Sequence, residues 1–295
     1  MSRANRCHAR WLTAAALTLA ALAATLPAAP AGAAVTLGQL PATAPPAQCS
    51  STADFLQPGI TGGNLYIARQ AGTITSWSTR SSGADATYVF KIFRRTSDPD
   101  VFQVIARAPP HDLTSGLNTV PVNIAVRSGD MIGVNESGDP NSCTFSQIGD
   151  GVLTRSGSVA LGASGSFTAL NDVRLNLSAV LVPSNDFAVA AITRDRKQGT
   201  ATVMVNVSNP GVVTIAGKGL KKRHPKNVAV AGTIQFNIAT AGAKKRKLEK
   251  TGKVAVSPTL TFSPSGGEPA NRTFTVKLKQ RRRPPAPVLG RPTAH

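Results

Sequence analysis

The chain is poor in the residues from which most enzymes build their chemistry. Only four of its 295 residues are histidine, and His111, His224 and His295 are the three beyond the N-terminal stretch. There is no G-x-S-x-G elbow, no H-E-x-x-H and no Gly-rich phosphate loop. The sequence therefore excludes, by motif, the nucleophile-elbow hydrolases, the zincins and the P-loop enzymes. Cysteine is scarce too, with three in all and no C-x-x-C pair, so neither a redox dithiol nor a zinc knuckle is expected. Aromatic residues make up 5%, which leaves few stacking platforms for single-stranded nucleic acid. Acidic residues are outnumbered, 14 against 33 Lys and Arg.

The opening residues set the expected compartment. Arg3, Arg6 and Arg10 precede the uncharged, Ala-rich run "WLTAAALTLAALAATL" (11–26), and Ala31-Gly32-Ala33 fits a small-residue cleavage site. A signal peptide over 1–33 is expected, cut after Ala33 or Ala34. The run is shorter and weaker than a membrane span, and no later stretch is long and apolar enough for one. The mature protein is therefore expected to be secreted, extracellular or associated with the cell envelope. Cys7 would leave with the signal. Cys49 and Cys143 remain as an even pair in an oxidising compartment and are expected to form a disulfide. Closing a loop of that length stabilises by up to ~4–5 kcal/mol on loop-closure entropy.

Charge divides the chain. Residues 35–183 carry nine Lys and Arg against ten Asp and Glu, while residues 184–280 carry seventeen against four. The break at "VPSND" (182–186) marks a domain boundary. The expected plan is a signal peptide (1–33), a Pro-rich lead-in (34–48), a first domain (49–183), a basic second domain (184–280) and a disordered basic tail (281–295). Both domains read as β structure. Val, Ile and Thr alternate, Gly and Pro punctuate, and no segment holds a 3.6-residue apolar period.

In the first domain, "TYVFKIFR" (87–94) sets Tyr88, Phe90 and Ile92 against Thr87 and Lys91. "VFQVIARA" (101–108) places Phe102, Val104 and Ala106 on one face, and "SDPD" between them predicts a hairpin. "VRLNLSAVLV" (173–182) puts Val173, Leu175, Leu177, Ala179 and Leu181 on one side. Such half-buried strands predict a jelly-roll-like sandwich. Trp77 is expected in the core, with a glycan-stacking platform as the weaker alternative. Glu136, Asp139 and Asn141 offer oxygen ligands for Ca²⁺ but lack a D-x-D-x-D spacing, so an ordinary polar turn is the expected reading. His111 has no partner in sequence to make it a base. The segments "GTITSWS", "YVFKIFRR" and "GLNTVPVNIAVRSGDMIGV" resemble the N-terminal β-sandwich of secreted proteins from high-GC Gram-positive bacteria. That resemblance implies a fold and no settled activity.

The second domain offers seven strand-like segments, from "FAVAAI" to "RTFTVKLK". "GVVTIAGKGLKK", "AGTIQFNI", "KKRKLEKTGKVAV" and "TFSPSGGEPANRTFTVKLK" occur in that order. They resemble the immunoglobulin-like or fibronectin-like accessory modules of exported proteins from the same bacteria, which implies a spacer or binding role. Two basic runs stand out, Lys221, Lys222, Arg223 and Lys226 in "KKRHPK", and Lys244, Lys245, Arg246, Lys247 and Lys250 in "KKRKLEK". Both are expected in solvated inter-strand loops. They serve either as a plain charged face or as attachment to anionic cell-envelope polymers or glycans. No specific nucleic-acid partner is expected, because the domain's four Phe fall on apolar faces. The sequence thus predicts an all-β protein of two sandwiches in tandem, jelly-roll-like then immunoglobulin-like. It is read as non-catalytic and cofactor-free. A hydrolase using first-domain carboxylates is the alternative. The oligomeric state is not legible.

Overall fold

The computed structural model describes residues 34–45, 49, 52–83, 86–138 and 143–281. The protein is all-β, with two sandwiches in succession. The first holds β1 (Val35–Gln39), β2 (Ala53–Gly59), β3 (Gly72–Ser81), β4 (Ala86–Arg95), β5 (Val101–Arg107), β6 (His111–Asp112), β7 (Gly116–Val126), β8 (Met131–Gly138), β9 (Thr144–Ser156), β10 (Ser164–Ser166), β11 (Thr168–Leu175) and β12 (Leu177–Pro183). One sheet runs β1-β12-β3-β7, and the other runs β10-β5-β4-β8-β2-β9-β11 with β6 beside β4. The expected hairpin forms, as β4 pairs antiparallel with β5.

The run 173–182 keeps its alternation but belongs to two sheets. β11 pairs with β9 and β12 pairs with β1 and β3, with Asn176 at the crossing. Asn176 is fully buried and makes the crossing possible by supplying the pairing that the strands give up. Its Nδ2 donates to the Arg80 carbonyl at 2.6 Å, and its own carbonyl accepts from the Thr79 hydroxyl at 2.7 Å.

Between the sheets lie Leu37, Phe55, Ile74, Trp77, Tyr88, Phe90, Ile92, Leu175 and Leu181. A second cluster, with Phe93, Phe102, Val104, Met131 and Phe167, covers the other face of β4 and β5. The reading of Lys91 as outward-facing is therefore corrected. Both faces of β4 are covered, and Lys91 is 1% exposed. Its ammonium donates to Asp54 Oδ1 at 2.7 Å, Ser158 Oγ at 2.9 Å and the Val159 carbonyl at 2.9 Å. That uses all three of its N–H groups.

The second sandwich holds β13 (Phe187–Asp195), β14 (Thr200–Val207), β15 (Gly211–Ala216), β16 (Lys226–Val228), β17 (Gly232–Ile238), α1 (Gly242–Thr251), β18 (Lys253–Val256), β19 (Thr259–Pro264), β20 (Ala270–Thr273) and β21 (Val276–Lys279). Its sheets are β13-β14-β17, β16-β15-β19-β20 and β18-β21. Nine strands thus stand where the sequence offers seven segments, the fourth of them long enough for two strands or a bent one. "NVAVAGTIQFNIA" forms β16 and β17, and "RTFTVKLK" breaks at Phe274, with Thr273 opposite Thr259 and Val276 opposite Val256. The core of Val203, Val205, Phe236, Leu260, Phe262, Val276 and Leu278 shares no residue with the first.

The side chain of Asn209 joins the sandwiches. It imitates a strand backbone, with Oδ1 accepting from the Ala71 N–H at 2.8 Å and Nδ2 donating to the Ala71 carbonyl at 2.8 Å and the Ser184 carbonyl at 2.6 Å. Gln70 Nε2 adds a bond to the Ser265 carbonyl at 2.9 Å.

Candidate functional site

The basic run at 244–250 is not a loop, and that expectation is corrected. It forms α1, ten residues long. The segment "AKKRKLEK" is rich in good helix formers, and Gly252 ends the helix in the left-handed conformation, φ 70°, its N–H returning to the Leu248 carbonyl at 2.7 Å. Leu248 is the helix's one buried residue, packed into the second core. A single apolar anchor produces no periodicity, which is why the pattern reads as loop. Lys245 and Glu249 form an exposed i,i+4 pair at 3.8 Å, of little energetic weight. The helix start has no side-chain cap and no acid in its first turn.

The fold brings the two basic runs together. The Lys221 N–H donates to the Ala239 carbonyl at 2.8 Å, and the Ala241 N–H to the Gly219 carbonyl at 2.8 Å. Two further segments close the same end: the Gln280 N–H donates to the Gly252 carbonyl at 2.9 Å and the Arg281 N–H to the Arg196 carbonyl at 2.8 Å. This end is remote from the junction, because β13 leaves Ser184 and travels nine residues, roughly 30 Å, to reach it. The pole therefore gathers Arg196, Lys197, Lys218, Lys221–Arg223, the run on α1, Lys253, Lys279 and Arg281, while Lys226 lies further along β16 opposite Val213.

The module's four acids divide between its two ends, with Asp195 and Glu249 at the pole. Asp186 and Glu268 sit at the junction, where Asn185 Nδ2 donates to the Glu268 carbonyl at 3.1 Å and Ser184 Oγ to Asp186 Oδ2 at 2.7 Å. Asp195 is at the pole, but its Oδ1 is occupied by the Lys197 and Gln198 N–H groups.

The nine candidate polyanion contacts do not behave alike. Arg223 Nε donates to the Asn237 carbonyl at 2.8 Å, Lys226 lies 5.4 Å from the Phe236 ring centroid, and Lys244 Nζ donates to the Ala255 carbonyl at 3.0 Å. These three are held in place. Lys221, Lys222, Arg246 and Lys247 are exposed and join no ion pair among the described residues. Lys245 is loosely paired, and Lys250 is exposed on the helix.

Between the Lys218–Leu220 turn and α1 runs a groove of about 750 Å³, lined by Lys218, Lys244, Lys247, Leu220 and Ser257, with no Asp or Glu. Sequence reasoning missed Lys218 and the groove, because Lys218 stands alone in "AGKGL" and only the fold places it opposite the helix.

Trp77 is fully buried, stacked on Phe90 at 5.8 Å with rings 5° from parallel, so it cannot serve as a glycan platform. The core alternative is the one the fold realises. His111 meets Trp77 edge-on at 6.0 Å. Glu136 is fully buried in β8, and Asp139 and Asn141 lie outside the described residues. Cys49 and Cys143 form a disulfide, with Cα atoms 5.9 Å apart. Both sulfurs lie near Glu136, but paired in the disulfide they offer no thiolate to a metal.

Three of the four buried carboxylates among the first domain's described residues, Glu136 being the fourth, meet a cation. Asp54 meets Lys91, Asp130 meets Arg94 and Asp150 meets Arg174. Burial pushes the Asp150 carboxyl up, but Arg174 together with the Thr61 N–H and hydroxyl outweighs it, and the group is held below the ordinary carboxylate value. A cleft of about 700 Å³ at the junction, lined by Val35, Leu37, Ile67, Arg69, Gln70 and Leu181 among others, holds no Asp, Glu or His. No described helix is long and apolar enough to cross a membrane.

No protein-family profile and no curated protein sequence matches the chain. Among solved structures it is similar to a GH2 β-galacturonidase from Eisenbergiella tayi bound to galacturonate, over 83% of this chain, at 11% identity and a TM-score of 0.23. A second GH2 β-galacturonidase from the same organism, bound to glycerol, matches over 82% at 12% identity and a TM-score of 0.22. The chain spans 43% and 42% of the length of those proteins, and a likeness at these scores carries nothing about activity.

Proposed function

We propose that this is an exported, non-catalytic binding protein whose second sandwich attaches, by its basic pole, to anionic polymers of the cell envelope. One observation carries the reading: two basic runs some twenty residues apart in sequence converge on one end of a module whose other end joins a near-neutral sandwich. Cations far outnumber Asp195 and Glu249 at that end, so a polyanion is drawn to the pole. The rival hydrolase reading finds no support in Asp54, Asp130 or Asp150, each tied to a cation.

The test is retention of the full chain on immobilised poly(glycerol phosphate) and polygalacturonate. Retention should fall steeply as salt passes ~0.1 M, where the screening length is about 10 Å. Replacing Lys221, Lys222, Arg246 and Lys247 with Gln should abolish it and move the melting temperature little, because exposed charges contribute little to folding. Equal retention of that variant would overturn the reading.

A further inference from the structure

We infer that the groove between Lys218–Leu220 and α1 is a phosphate-binding subsite within the basic pole; the inference rests on the polymer-binding reading and names the chemical group that the pole grips. Three observations carry it. First, the groove is concave and one-signed, with Lys218, Lys244 and Lys247 on its walls and no carboxylate. A cleft of one sign concentrates counter-charge far more than a flat face does.

Second, one of its cations is fixed in advance. Lys244 donates one N–H to the Ala255 carbonyl, and its aliphatic stem lies against Gly219, whose φ of +78° and missing Cβ admit it. An ammonium has three donors, so two remain for a ligand. The helix flank that carries Lys245 and Glu249 lines a different surface, so the only acid of α1 is kept away from the groove.

Third, all three cations are lysine. Lysine binds phosphate as a point charge, and separate ammonium groups can each meet a different oxygen of the tetrahedral group. The arginines nearby do other work: Arg223 is spent on the Asn237 carbonyl, and Arg246 does not line the groove. The ligand class is a phosphate ester, whether from a polyol-phosphate polymer or from a nucleic-acid backbone.

The experiment uses two charge-matched double variants of the full chain. K218Q/K247Q empties the groove walls, and K222Q/R246Q removes equal charge elsewhere on the pole. Amide chemical shifts are followed during titration with inorganic phosphate, and retention is measured on poly(glycerol phosphate), single-stranded DNA and polygalacturonate. In the wild type, saturable shifts should centre on Gly219, Leu220, Lys244 and Ser257, and survive in K222Q/R246Q but not in K218Q/K247Q. K218Q/K247Q should lose on the order of tenfold in retention on the phosphate polymers, and K222Q/R246Q much less. A larger loss on poly(glycerol phosphate) than on DNA assigns the ester to polyol phosphate, and the reverse assigns it to nucleic acid. Non-saturable shifts, or equal losses for the two variants on all three polymers, would overturn the subsite while leaving the polymer-binding pole intact. Absence of wild-type retention on every polymer, with saturable phosphate shifts still present, would overturn the pole and leave the subsite.

Discussion

Removing Asp54 should be among the most damaging single changes available to the first sandwich. Lys91 is 1% exposed and Asp54 is fully buried, 2.7 Å apart. In D54A the ammonium keeps only Ser158 Oγ and the Val159 carbonyl, while the Val159 N–H loses Asp54 Oδ2, its acceptor at 2.7 Å. Breaking a buried pair from one side costs about 3–5 kcal/mol, and an orphaned buried N–H adds about 1–3. Against a domain stability of about 5–15 kcal/mol, that is enough to abolish folding at physiological temperature.

The pH dependence has a fixed sign. Burial already lowers the Lys91 pKa, and Asp54 is what offsets it. Without Asp54 the folded-state value drops further below the unfolded value of about 10.4, so the unfolded chain binds the extra proton and the deficit shrinks as pH rises. K91M leaves Asp54 buried without its cation and should cost a comparable amount. The double variant D54L/K91M should recover most of the loss. Urea unfolding followed by circular dichroism, with the disulfide intact, measures all three. A cost under ~1 kcal/mol for D54A, the value of an exposed pair, would refute the burial of this ion pair and with it the double-faced covering of β4.

Two further outcomes follow from the first sandwich. Cys49 and Cys143 close a loop of 94 residues in sequence separation, so C49A/C143A should lose about 4 kcal/mol in the same unfolding assay. Non-reducing peptide mapping should recover the linked peptide, and two free thiols would contradict the structure. Asp150 has a folded-state pKa below its unfolded value, so its contribution is present above about pH 4 and is lost as pH falls through the folded-state value. D150N should therefore flatten the acid limb of the stability profile, and an unchanged acid limb would show that the Arg174 and Thr61 contacts are not formed.

The strand character of both domains was legible because Val, Ile, Leu and Phe alternate with polar residues in nearly every segment, and alternation is what a half-buried strand requires. The sheet to which a strand belongs was not legible. Leu175 and Leu177 keep the period while Asn176 passes the chain from one sheet to the other, and nothing local to a strand records its neighbour. Lys91 was misread for a related reason. Alternation assigns a charged residue to solvent, but the segment at 157–167 covers that face, and the clue was the surplus of apolar residues at Phe93, Phe102, Val104 and Phe167. The helix α1 was hidden because Leu248 is its one buried side chain; composition and Gly252 carried the only signal.

That helix also bears on why the charges are where they are. Its first turn carries Lys244 and Lys245 and no acid, opposite to what the helix dipole favours, at a cost of about 0.3–1 kcal/mol per misplaced charge. Stability alone would put Asp or Glu there and a Ser or Asp in place of Ala241. Nor does the need for a soluble surface explain it, since mixed signs serve that purpose as well. The arrangement keeps Glu249 on the flank away from Lys218, fixes Lys244 on the Ala255 carbonyl, and leaves Lys247 facing the turn at Gly219. A helix that gives up stability at its start while holding its cations around a groove is the arrangement that the proposed anion subsite requires.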